Sequence, residues 1–255
     1  MPVDLERRDA VAVLTINRPE ALNALSPELL DDLDRCLDEV AAAPELRAVV
    51  ITGAGQKAFS AGADIAHMRT ADALQARAWA QRGQGMADRI ESFDAPVIAA
   101  VNGYALGGGC EIALACDVLI ASERARFGQP EINLGIVTGW GGSQRLTRLV
   151  APGYAKEMIL TGAPIDAAEA LRVGLVNHVY PADDLLDRAV ELAAVMASKP
   201  VWAAAASKAL CNAALADDLA SGLAREVDAF ALAFTTADQR EGMDAFFEKR
   251  PPKFA

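Results

Sequence analysis

Positive charge is what this sequence most lacks: Lys and Arg number 24 against 35 Asp and Glu, leaving a net charge of −11. A general nucleic-acid binder needs a cationic footprint to release counterions, so no nucleic-acid partner is expected. An anionic small molecule stays possible, because a local cluster of Lys and Arg can overrule the global sign. Histidine is scarce too, with His67 and His178 alone. Neither belongs to a helical HxxxH or lies near a cysteine, so no metal site is expected. The four cysteines, Cys36, Cys110, Cys116 and Cys211, show no CxxC and no zinc spacing. They read as reduced structural thiols of a reducing compartment. No apolar run reaches the ~20 residues that span a bilayer. The opening MPVDLERRDA is charged where a signal peptide would be apolar. A cytoplasmic protein without a membrane partner is the expectation. Aromatics make up 5% of the 255 residues while hydrophobic residues reach 53%, so alanine supplies much of the core and helices can pack closely.

Taken in order, the chain alternates strand and helix patterns. VAVLTIN (11–17) is β-branched and alternating, a strand. Ser26-Pro27-Glu28 is a helix start, and Pro44 ends the leucine-striped helix that follows. RAVVITG (47–53) and PVIAAVN (96–102) are continuous apolar strands of the kind buried on both faces of a parallel sheet, and DVLIAS (117–122) is another. Helices are predicted over 72–93, 152–162 and 166–174, TGWGGSQRLTRLV (138–150) has a glycine-rich start and a helical continuation, and VNHVYP (176–181) is a short strand. Beyond about 183 nothing resembles a strand, and helices are predicted over 184–198, 200–215, 218–236 and 238–248. An α/β body followed by a helical C-terminal part is the result.

The chemistry concentrates in GYALGGGCEIALACD (103–117). Gly107, Gly108 and Gly109 follow a strand and open a helix-like run. Glycine admits close approach of a ligand, and a helix start offers unpaired N–H groups to an anion or a carbonyl oxygen gaining charge. Glu111 lies three residues after Gly108, so its carboxylate projects from the first turn near that donor. A second acid, Glu131, follows Pro130 in the loop-like FGQPE. Two carboxylates held near each other and partly desolvated have divergent pKa values, which suits addition or removal of water across a carbon–carbon double bond. FSAGAD (59–64) is a second bend whose small residues can turn a backbone N–H toward a ligand. Gly53-x-Gly55-x-x-Ala58 mimics a dinucleotide fingerprint, but QKAFSAGAD intervenes where a helix must start. No P-loop exists, and Ser143 in GGSQR lacks the GxSxG elbow. Lys208, Lys249, Arg250 and Lys253 read as a solvated face that could bring some cations to a ligand phosphate.

Nearly end to end, the chain resembles the enoyl-CoA hydratase (crotonase) family. The likeness rests on NRPEALNAL (17–25), AFSAGADI (58–65), VNGYALGGGCE (101–111), FGQPEINLG (127–135), GGSQRLTRLV (141–150), LTG (160–162), GLV (174–176) and REGMDAFFEKR (240–250). The resemblance implies an α/β fold, a spiral of ββα units with a helical C-terminal trimerisation region. Residues 1–195 would form the core with its acyl-CoA site, and 196–255 the oligomerisation region of a trimer or dimer of trimers. It also implies an oxyanion hole from the N–H groups of Ala63 and Gly108, and Glu111 and Glu131 as the catalytic acids. Gly139 falls near the attacking water, and Ala61, Asp64, Ile65 and Ala66 near an acyl-CoA thioester substrate. No cofactor is implied beyond the coenzyme A of that substrate. The chain departs from the family at Glu20 and Ala66, where many members carry Lys, leaving Arg18, Lys57 or a neighbour's Lys249 as substitutes. Thr138 and Trp140 stand where hydratases commonly have Pro and Ala, and the indole's bulk bears on acyl-pocket shape and substrate length. Rival readings are double-bond isomerisation on the same scaffold, which commonly relies on one carboxylate, and RNA binding, which the acidity disfavours.

Overall fold

The computed structural model describes all 255 residues. It opens with an antiparallel hairpin of β1 (Val3–Arg8) and β2 (Val11–Ile16), then helix α1 (Pro27–Ala41), whose cap is the Ser26 side chain accepting from Leu29 N–H. Three similar units follow. In the first, β3 (Ala48–Gly53) and β4 (Ala58–Ser60) lead into α2 (Ile65–Met68) and α3 (Ala73–Glu91). In the second, β5 (Val97–Val101) and β6 (Tyr104–Leu106) lead into α4 (Gly108–Leu114). In the third, β7 (Val118–Ser122) and β8 (Arg126–Gly128) lead through a 3-10 turn at Pro130–Leu134 into α5 (Gly142–Leu149) and α6 (Pro152–Thr161). The short strand β9 (Ile165–Asp166), α7 (Ala167–Arg172), β10 (His178–Tyr180) and α8 (Leu185–Ala197) complete the body. Helices α9 (Val201–Ala213), α10 (Leu219–Ala233) and α11 (Ala237–Glu248) end the chain.

Each unit gives its first strand to a six-stranded sheet ordered β1-β2-β3-β5-β7-β10 and its second to a smaller sheet ordered β4-β6-β8-β9. From β2 onward the large sheet is parallel. The chain therefore winds as a spiral of ββα units. Its apolar strands are covered on both faces, which is why their sequences run without polar alternation. Leu14, Ile16, Val49, Ile51, Val97 and Ala99 face the main core, while Val13, Val50, Ile98 and Ile120 face α8. That helix approaches the sheet through Leu185, Ala189, Ala193 and Ala197, one residue per turn, and the small alanines let it sit close.

Several elements escape the sequence pattern for physical reasons. Strand β1 is VDLERR, an edge strand too charged to read as one, and β4, β6 and β8 hold three residues each, too few to display a period. The stretch after Gly53 leads into strand β4 rather than a helix, so the dinucleotide look-alike is a plain turn. One sequence expectation is corrected. Lys208 is not on a solvated face: its ammonium pairs with Asp117 at 2.8 Å and donates to the Ile90 and Ala95 carbonyls, tying α9 to the body. Cys36, Cys110 and Cys116 are buried free thiols, whereas Cys211 is exposed. The division at 195/196 falls in the last turn of α8, which packs on the sheet, and the chain leaves the body at Pro200. No single helix is long and apolar enough to cross a membrane.

Candidate active site

The bend after β4 is braced by the 17–25 loop. Asn23, fully buried and left-handed (φ 58°), donates from Nδ2 to the Ala54 and Ala58 carbonyls and accepts the Arg18 N–H at Oδ1. Beside it, Ala61 N–H donates to the Leu22 carbonyl, Leu25 N–H to the Gly62 carbonyl, and Asp64 N–H to the Leu25 carbonyl. Leu25 and Ala63 thus form a parallel bridge. Backbone groups of successive residues in such a segment point to opposite sides. With Gly62 and Asp64 committed to Leu25, the Ala63 N–H faces the other way, and it donates to no protein acceptor.

What it faces is the glycine corner. Gly108 is the first residue of α4, so its N–H has no partner within the helix. A methyl group on Gly108 would lie 3.2 Å from Ala63 N, which puts the two donors side by side. Gly109 must lack a side chain, since a Cβ there would sit 2.3 Å from the Ser60 carbonyl oxygen. Close seating of α4 on β4 is what brings the two N–H groups together. Two such donors can hold one carbonyl oxygen and favour charge on it.

Glu111, one turn into α4, is 2% exposed. Its Oε1 accepts from Trp140 N–H at 2.8 Å and Gly142 N–H at 2.7 Å. The peptides that supply these donors are themselves held: Gln84 donates to the Gly139 carbonyl, and the Gly141 carbonyl accepts the backbone N–H groups of Gln144 and Arg145, while the Arg145 side chain donates to the Trp140 carbonyl between them. Arg145 is anchored in turn by Glu91 and Asp88 on α3. Burial pushes the Glu111 carboxyl above its ordinary range, while the two amides and the Arg145 charge oppose that rise. Glu131, in the 3-10 turn after β8, is half-buried. Burial pushes its pKa up to about 7, with a further upward contribution from the Glu111 charge. A methyl on Gly107 would lie 3.1 Å from Glu131 Oε1, so this acid borders the glycine corner. Gln129, fully buried, fits with its amide nitrogen donating to Glu131 at 3.0 and 3.3 Å. At neutral pH, then, the pair can hold one carboxyl protonated and one ionised.

One cleft of about 1000 Å³ takes in Ala61, Ala63, Ile65, Gly108, Glu111, Glu131 and Gly139. Asp64 and Ala66, expected beside the acyl-CoA, do not line it. Asp64 caps α2 by accepting Ala66 N–H, and its carboxylate lies 3.6 Å from the Arg18 guanidinium. Sequence reasoning missed Asn23, Gln84, Gln129, Arg145 and the amides of 140 and 142. Gln129 left a signal, a polar residue between a strand and a proline. The amide donors leave none, since every residue but proline carries one.

The chain matches the profile of the enoyl-CoA hydratase/isomerase family over residues 6–255. It is 48% identical over 248 residues to a short-chain-enoyl-CoA hydratase of Clostridium acetobutylicum, covering 97% of this chain and 95% of that one. It is 47% identical over 250 residues to a crotonyl-CoA hydratase of Syntrophomonas wolfei, covering 98% and 96%. The crystal structure of an enoyl-CoA hydratase from Bacillus anthracis superposes with a TM-score of 0.96 at 39% identity, over 100% of this chain and 99% of that one. Matched by the family profile and by these relatives over nearly its whole length, the chain belongs to the enoyl-CoA hydratase/isomerase family.

Proposed function

We propose that this protein is an enoyl-CoA hydratase, adding water reversibly across the double bond of a trans-2-enoyl-CoA thioester to give the 3-hydroxyacyl-CoA, as in the β-oxidation of fatty acids. The observation that carries this reading is the meeting of two acids and two free N–H donors in one cleft. The thioester oxygen sits between the N–H groups of Ala63 and Gly108, which form the oxyanion hole and favour enolate character; each such donor is worth ~10²–10³ in rate. Glu111, ionised and fixed by the 140 and 142 amides, orients water and takes its proton as the oxygen bonds to Cβ. Glu131, protonated, delivers a proton to Cα. Acid–base help of this kind contributes ~10²–10⁴. The pair starts and ends with one proton between the two groups, and the net change is one water added. No redox step arises, so the reaction calls for no cofactor beyond the coenzyme A of the substrate.

The coenzyme A moiety lies along the 61–66 segment, of which Ala61 and Ile65 line the cleft. Gly139 lies near the attacking water. Residues 196–255 serve as the oligomerisation region of a trimer or dimer of trimers. In support, α9 and α10 bury no residue, and Phe230, Phe246 and Phe247 are 68%, 78% and 81% exposed. Three buried, unpaired thiols fit a reducing, cytoplasmic setting. Isomerisation needs one acid where this cleft holds two, and the net charge of −11 disfavours RNA. The test supplies trans-2- and trans-3-enoyl-CoA separately and identifies the products. Conversion of the trans-2 thioester to its 3-hydroxy product is expected, while migration of the trans-3 double bond as the dominant reaction would favour the isomerase. A monomeric mass in solution would contradict the oligomer.

A further inference from the structure

We propose that the indole of Trp140 sets the length of acyl chain that the site accepts, closing the space between α3 and α4 to all but short thioesters. This rests on the hydratase reading and names the residue that sets chain-length specificity in the same cleft.

Trp140 gives its backbone N–H to Glu111, so its side chain leaves the chain beside the catalytic pair. The ring is 3% exposed and still lines the cleft. One part of it lies against the glycine corner, where a methyl on Gly108 would come within 3.0 Å of Cε3 and Cζ3. Another part lies against α3, where a methyl on Gly83 would come within 2.0 Å of Cδ2 and 2.1 Å of Cε2. A mid-helix glycine weakens a helix, and here its missing side chain is the seat of the indole. One turn earlier on α3, Trp79 meets Trp140 edge-on with centroids 5.2 Å apart, and His67 packs on Trp79 at 4.8 Å. The wall cannot swing aside on its backbone, because Gln84 and Arg145 hold the carbonyls on either side of the Trp140 nitrogen and carbon. A longer chain directed between α3 and α4 meets this aromatic row. Leu134, Ile136 and Val137 also line the cleft and are exposed to solvent, so they set no closed limit to an acyl chain.

The experiment measures kcat/KM for trans-2-enoyl-CoA thioesters of increasing length with the wild-type protein, Trp140→Ala and Trp140→Phe. Any non-proline residue keeps the N–H that serves Glu111, and the ratio of long- to short-chain kcat/KM within one variant is independent of the fraction folded. In the wild type this ratio is expected to fall steeply with length. Trp140→Ala is expected to raise the eight-carbon to four-carbon ratio by about 10- to 100-fold, with Trp140→Phe between the two. Ratios unchanged to within about twofold in both variants would overturn the inference, as would a wild type that takes long and short chains equally well. A wild type that hydrates none of the thioesters would instead overturn the hydratase reading beneath it. The two failures are therefore distinguishable.

Discussion

Glu111 and Glu131 enter one cleft from regions built in different ways. Glu111 stands in a regular helix, almost fully buried, with two amides on one oxygen, one of those peptides fastened by the Gln84 side chain and the other by backbone N–H groups of α5. Glu131 stands in a 3-10 turn, half-buried, beside the single amide of Gln129. The first surroundings favour a carboxylate held in one place. The second let a neutral carboxyl persist to about pH 7. Burial raises both groups, and the fixed donors aimed at Glu111 oppose that rise. The proposed division between base and acid rests on that difference in surroundings.

The comparison can be broken from either side. Glu111→Gln keeps an oxygen for the two amides and removes the base, so kcat for crotonyl-CoA hydration should fall ~10⁴-fold with unchanged thermal unfolding. Glu131→Gln removes the proton donor and should cost ~10³-fold. It should also abolish the alkaline limb of the pH profile. In the wild type, a carboxyl raised to about 7 is protonated below that pH, so kcat/KM should decline as pH rises through it. Gly108→Ala would press a methyl to 3.0 Å from the Trp140 ring and 3.2 Å from Ala63 N. Spreading the two donors should lower kcat/KM about 10²-fold with both acids intact. The smallest effect is expected of Arg145→Met, which frees the Trp140 carbonyl and removes a positive charge that favours ionised Glu111. Its kcat should drop roughly tenfold, and the acid limb should move to higher pH, with partial recovery in Arg145→Lys.

Much of this was legible in the residues. The inner strands of the large sheet, β3, β5 and β7, announce themselves as apolar runs, and the three glycines before Glu111 mark a helix start that can approach another backbone. The smaller sheet was not legible, because strands of three residues such as Ala58–Ser60 carry no period. Nor was the bracing of Ala63 by Leu25, since a backbone bridge between segments nearly forty residues apart writes nothing into side-chain identity. The surroundings of Lys208 were misread for a related reason. A lysine in an alanine-rich helix looks solvated until Asp117 and two carbonyls are brought against it. The helices at 218–236 and 238–248 were visible as sequence, while the exposure of Phe230, Phe246 and Phe247 is visible only in the fold.

Single-turnover hydration of crotonyl-CoA in isotopically labelled water, run with the wild type and with each glutamine variant, tests the two-acid account most directly. Label should appear on the β-carbon hydroxyl in the wild type, with the step slowed by orders of magnitude in both variants. Hydration at near-wild-type speed with either acid replaced would contradict it.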